Sequence, residues 1–257
     1  MPTPGSNYGG GRRHLRPNPK APMARDALLP GDPGRALSIA QSVLTEPLMS
    51  NHARGLWGYT GGLPDDRQLT IQSTGIGAAS GAVVLAELAG LGVGRAVRVG
   101  TCTALDPPPG RSAAEPGDVL IAQRVLPLDG VSSALATYGQ SGDREPLEPD
   151  GDLTAALIEC VEGSPATLAG IDPITPASAD RIPGESTPAG EAIASDLQVA
   201  ALMAVGRKIG IDVGCVDLVV ESVDGSELLD DDEIASRSIE IARSVVAALE
   251  DATSTSS

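Results

Sequence analysis

The chain has 257 residues, 41% of them hydrophobic, and a formal net charge of -16, so it can bury a substantial core in one large α/β domain or two small ones. That charge excludes its bulk surface as a binder of nucleic acid or anionic membrane. The balance is uneven, however, with 10 basic against 6 acidic residues through Val99 and 8 against 28 beyond it, so clustered arginines can still hold a small polyanion.

There is no Phe, and Trp57, Tyr8, Tyr59 and Tyr138 are the only aromatic residues. The core must be aliphatic, and a ligand pocket has few rings with which to stack. Cys102, Cys160 and Cys215 are far apart, and His14 and His52 are the only histidines, so no compact metal-ligand set exists. No stretch approaches membrane-spanning length, and the Gly-, Pro- and Arg-rich start lacks a signal-peptide pattern. The expectation is a cytoplasmic protein with reduced thiols and no metal.

Residues 1–24 read as an arm, partly disordered, too polar and proline-rich to fold alone. The stretch LLPGDPGRA (Leu28 to Ala36) then leads an apolar run into a turn and a helix. Gly31 and Gly34 can leave backbone N–H groups facing an anion, and Arg35 adds a planar fork that suits phosphate. A plain strand-to-helix turn with an exposed arginine accounts for the same letters. Arg54, in NHARGLWGYTG, would pass alone for a surface arginine.

RQLTIQSTGIG (Arg67 to Gly77) reads as a strand feeding a glycine loop, and AASGAVVLAELAGLG (Ala78 to Gly92) as an alanine-rich helix suited to a sheet. RAVRVGTCTAL (Arg95 to Leu105) and GDVLIAQ (Gly117 to Gln123) are two more strands. Arg98 stands in an apolar strand and must find a carboxylate or a bound oxyanion; Gly100 and Thr101 offer donors beside it.

From about Leu126 to Asp152 the sequence gives little guidance. DLTAALIECVEG (Asp152 to Gly163) resumes a helix with Asp152 as a candidate N-cap, and a long helix is predicted from Thr187 to Gly210. DVGCVDLVVES (Asp212 to Ser222) is strand-like. Asp230 to Glu250 form an amphipathic last helix whose acidic run favours its own dipole rather than calcium, and residues 253–257 read as a solvated, disordered tail. Short apolar strands separated by helices describe a mixed or parallel sheet covered by helices.

The segments LLPGDPGRA, NHARGLWGYTG, STGIG and RVGTCTAL, in this order and spacing, resemble the nucleoside phosphorylase family that includes bacterial hexameric purine nucleoside phosphorylase and uridine phosphorylase. The resemblance is strongest over residues 25–122, and the layout continues to about Glu250. It implies one domain over residues 25–252 with a three-layer α/β fold, a central twisted mixed sheet flanked by helices, assembled from dimers into a homohexamer.

It also implies that Gly31, Arg35, Arg98 and Thr101 hold phosphate and that Arg54 is supplied across the dimer interface. His14 is the counterpart of an N-terminal histidine that reaches the partner's ribose. Inorganic phosphate is then the co-substrate, with no other cofactor, and the reaction splits a nucleoside, purine rather than pyrimidine, into free base and pentose 1-phosphate. Arg98 counts among the catalytic groups, and Cys102 lies beside the nucleoside.

Three positions depart from the family pattern. Leu197 and Gln198 stand where a Met-Glu pair binds the ribose hydroxyls, and Gln keeps the hydrogen-bonding capacity without the charge. Asp196, next to them, is expected as an exposed helix residue. Glu221 falls where the purine enzymes carry a catalytic aspartate, and Ile182 where an aromatic ring stacks on the base. A hydrolytic nucleosidase and a binding protein without turnover therefore stay open beside the phosphorylase.

Overall fold

A computed structural model describes residues 14–135, 145–172 and 190–254; Ile182, most of the N-terminal arm and the last three residues lie outside them. Among the described residues nine strands form one mixed sheet in the order β2-β3-β4-β1-β5-β8-β7-β6-β9. The central strands are β1 (Asp26–Leu29), β4 (Gln68–Gln72) and β5 (Arg95–Ala104), running parallel with β1 in the middle. β2 (Thr45–Asn51) and β3 (Gly58–Gly62) add an antiparallel edge; their exposed or glycine-rich faces blur the alternation that marks a strand.

On the other side, β5 pairs in parallel with β9 (Asp212–Glu221) along its length, while its end pairs with β8 (Ala194–Asp196). β8, β7 (Ser164–Gly170), β6 (Val119–Pro127) and β9 then follow in sequence. Because β9 also pairs with β5, these five strands close on themselves as a small barrel. The α/β fold with a central sheet flanked by helices is the one expected.

Alternation along β5 sets the two cores: Ala96, Cys102 and Ala104 face one cluster, Val97 and Val99 the other. Against the first pack α2 (Gly77–Ala89), through Val84, Leu85 and Leu88, and α5 (Val199–Ile209). Against the second pack α1 (Pro33–Val43), α4 (Gly151–Cys160) and α6 (Asp231–Ser254). The helices' buried positions recur at three- and four-residue spacing, as in Ala36, Ile39 and Ala40 of α1, which is the single apolar stripe of a helix lying on a sheet.

Several sequence expectations need correction. The helix predicted from Thr187 begins only at Val199, because Ala194–Asp196 form β8. The N-cap of α4 is Asp150, whose carboxylate accepts from Leu153 N at 2.9 Å, and not Asp152. The uninformative stretch contains a short helix, α3 (Gly130–Leu135). Leu15, assigned to the arm, is fully buried in the first core, and the last helix extends to Ser254.

Candidate active site

β1 and β4 end side by side, and the turns that follow them are laced together: Thr74 N donates to Pro30 O and Gly75 N to Gly31 O, both at 2.9 Å. Asp32, in extended conformation, caps α1 by accepting from Arg35 N at 2.8 Å, with Pro33 opening the helix. Capping turns the Arg35 guanidinium back over Gly31, where a Cβ would lie 3.5 Å from its Nη2. Its Nη1 is buried and has no hydrogen-bond partner. Burial lowers the Arg35 pKa, and the nearby positive Arg98 lowers it further, against the opposing pull of Asp32, Asp217 and Asp196.

Arg98 enters from β5 and is buried. Its Nη1 donates to Gln198 Oε1 at 2.7 Å and its Nη2 to Asp196 in a very short ion pair. Its Nε lies 3.5 Å from Asp217 Oδ1 without making a hydrogen bond. Burial by itself would depress the Arg98 pKa, but Asp196 and Asp217 overcome it and hold the guanidinium more firmly charged. Of the two partners that the sequence left open, the chain supplies carboxylates.

Asp196 is therefore not the exposed helix residue expected. It is 2% exposed at the end of β8, and its Oδ1 accepts from Gln198 N and Val199 N, at 2.8 and 2.5 Å, so it caps α5 while its other oxygen meets Arg98. Asp217 is the residue that sequence reasoning missed. It sits in β9 opposite Gly100 of β5, is fully buried, and has no hydrogen-bond partner stronger than the thiol of Cys215.

Burial and the neighbouring Asp196 push the Asp217 carboxyl up to about 7, with Arg98, the Cys215 thiol and Arg35 pulling weakly the other way. Its signal was present in the sequence. The one acid in GCVDLVV and the second arginine of RAVRVG, on neighbouring strands, each need a buried partner of opposite charge.

Gln198 is 2% exposed and engaged on all sides. Its Oε1 accepts from Arg98 and from Thr74 Oγ1 at 2.7 Å, and its Nε2 donates to Gly75 O and Gly77 O at 3.0 and 3.1 Å. Two lone pairs and two protons are the full capacity of an amide. A sugar hydroxyl could meet Gln198 only by displacing one of these partners.

The remaining candidates divide. Thr101 is half-buried on β5 and Glu221 half-buried at the end of β9, where Glu221 Oε2 accepts from Thr103 Oγ1 at 3.2 Å. Cys102 lies 3% exposed in the apolar cluster, and burial raises its thiol pKa well above the ordinary value; it is a packed core side chain. Leu197 packs on the small cluster of Ala169, Ile171 and Ala192.

Arg54 is exposed, in a turn where it adopts φ +60°, left-handed and uncommon for a non-glycine residue. The backbone N–H of His14 donates to Glu87 Oε1 at 2.8 Å, ten residues along α2 from Gly77, or about 15 Å of helix. The chain thus brings Gly31, Arg35, Arg98 and Gln198 together, while His14 is held near the far end of α2. Ile182 lies outside the described residues. Among those residues no group of His, Cys, Asp and Glu is arranged to hold a metal ion.

Arg98 lies opposite Leu29, the last residue of β1, and Arg35 lies just beyond that strand in α1; each guanidinium keeps a donor without a partner, Arg35 Nη1 and Arg98 Nε. The sequence profile described as "Phosphorylase superfamily" matches residues 25–250. The chain belongs to the phosphorylase superfamily. Among superfamily relatives it is similar to a purine nucleoside phosphorylase DeoD-type of Oceanobacillus iheyensis, 43% identical over 84 residues, 32% of this chain and 35% of that protein.

A uridine phosphorylase of Thermococcus kodakarensis is 34% identical over 54% of this chain and 46% of its own length. A guanosine phosphorylase of Halorubrum lacusprofundi is 28% identical over 74% of this chain and 75% of its own. Against the DeoD-type relatives the chain spans only about a third of their length.

Proposed function

We propose that the protein is a nucleoside phosphorylase that cleaves a purine nucleoside with inorganic phosphate, giving free base and pentose 1-phosphate. The observation that carries this reading is the buried, unpartnered Nη1 of Arg35 folded over Gly31. Leaving such a donor unmet costs about 1–3 kcal/mol, and an oxyanion removes that cost. Phosphate would be held by Gly31, Arg35, Arg98 and Thr101, with Arg54 reaching in from a second subunit.

An anion fixed beneath the sugar carbon supplies the nucleophile and stabilises the oxocarbenium charge that develops as the base departs, so the gain is chiefly positioning and electrostatics. Glu221 would give the base its proton. The names of the DeoD-type relatives favour a purine. Assembly would be dimer-based, with a hexamer as the complete form, and the location cytoplasmic; among the described residues no helix is long and apolar enough to cross a membrane.

The deciding experiment measures base release from purine nucleosides with and without inorganic phosphate. Release that needs phosphate is expected, and equal rates in both conditions would replace phosphorolysis by hydrolysis. A second reading, anion or nucleoside binding without turnover, is favoured by the saturated Gln198 and the carboxylates on Arg98. It predicts calorimetric binding with no base released from any nucleoside in a broad panel.

A further inference from the structure

Around Arg98 the charges are nearly balanced before any ligand arrives. Arg98 meets Asp196 and Gln198 through its two terminal nitrogens, and both partners are fixed by other bonds: Asp196 by the start of α5, Gln198 by Thr74, Gly75 and Gly77. Asp217 is different. Only the Cys215 thiol, a weak donor, engages it, its Oδ1 stands 3.5 Å from Arg98 Nε, and that Nε is itself without a partner.

Gly100, opposite in register, makes the approach feasible. A Cβ there would lie 2.6 Å from Arg98 Nε and well inside contact distance of Asp217 Oδ1. The groups that face the Asp217 carboxyl are Arg98 and Cys102 from β5, Cys215 from its own strand, Asp196 from the end of β8 and Arg35 from α1.

We propose that Asp217 is the protein's own counter-anion to Arg98, standing at the guanidinium edge that an incoming oxyanion needs, so that binding of a dianion at this site takes up one proton onto Asp217. This inference rests on the anion-site reading above and adds its control. A second negative charge beside Arg98 is repelled by an ionised Asp217 in a water-poor site. A protonated Asp217 removes that repulsion and can donate its hydrogen to an anion oxygen. The shift of this carboxyl toward neutrality places the change within the ordinary working range.

Sulfate is the appropriate probe, because it stays dianionic where phosphate itself titrates. Titrating the full-length protein with sulfate between about pH 5.5 and about pH 8.5 should show affinity falling by up to about tenfold per pH unit once Asp217 ionises. The binding heat at one pH should differ between buffers of unlike ionisation enthalpy, reporting net proton uptake. Asp217→Asn should bind sulfate more tightly than the wild type at the high end, with a flat profile.

A flat wild-type profile without proton uptake, at measurable affinity, would overturn this inference and leave the anion site standing. Failure of sulfate to bind wild type or variant at any pH would overturn the anion site itself. Should the variant not fold, the wild-type profile and its buffer dependence decide the matter alone.

Discussion

At the residue scale, the chemistry concentrates in a few buried polar groups, and their removal should separate structural from ligand-binding roles. Arg98→Met leaves Asp196 and Asp217 facing each other without the cation between them, with only the more distant Arg35 nearby. It is expected to cost about 3–5 kcal/mol, measured as a lower denaturant midpoint. Arg35→Met removes a donor that nothing in the protein satisfies. Its stability should change by less than about 1 kcal/mol while sulfate affinity drops about 10- to 100-fold, the loss of one to two strong hydrogen bonds.

Asp217 also ties stability to pH. Its folded pKa lies above the ordinary carboxyl value, so between about pH 4 and about pH 7 the native state keeps a proton that the unfolded chain releases, and stability falls as pH rises through that window. Thermal melts of wild type and Asp217→Asn should therefore diverge upward in pH, with the variant gaining; each kcal/mol corresponds to about 2–4 °C for a chain of this size.

The glycine turn and Arg98 within an apolar strand stand out in the sequence because each breaks a local pattern. The two aspartates that meet Arg98 were not read there. The apolar spacing that follows Asp196 reads as helix, and Asp217 is one letter in a strand dominated by its apolar neighbours.

At the scale of elements, the strands and helices with strong patterns were predicted close to their bounds: β4, α2, β5, β9 and α6. The failures share a cause. β2 and β3 carry their pairing in exposed or glycine positions, and β8 is three residues long, too short for any period to show. It exists because β5 and β7 offer it hydrogen bonds from both sides, which is tertiary information.

The register of β5 against β9 is fixed closely enough to test. In Gly100→Ala the new methyl group must push aside Arg98 or Asp217, so a loss of about 1–3 kcal/mol is expected together with weakened sulfate binding. Removing the α4 cap, Asp150→Ala, should cost about 1 kcal/mol and leave sulfate affinity unchanged, since its carboxylate bonds Leu153 of its own helix rather than a group at Arg35 or Arg98.

At the scale of the whole molecule, the three-layer outline follows from the sequence because alternating strand and helix patterns admit few arrangements. Closure of five strands into a barrel does not, since it depends on β9 pairing with β5 and β6 at once. Among the described residues the free edge of the sheet is β2, which exposes Leu48 at 51% and Met49 at 41%, with Trp57 at 36% in the turn after Arg54. If Arg54 serves a neighbouring subunit, this is the face that meets it. Met49→Asp should then shift the particle mass in light scattering toward the monomer and weaken sulfate binding together, whereas Arg54→Ala should weaken binding at unchanged mass.

β5 belongs to the open part of the sheet and to the closed ring alike, handing hydrogen bonds to β1 on one side and to β9 and β8 on the other. A cut near residue 110 leaves β5 with β1 but strips it of β8 and β9, so neither half is an autonomous folding unit, and the two fragments should remain unstructured until mixed. The same strand should keep its deuterium-exchangeable amides longest, melting only when everything else does.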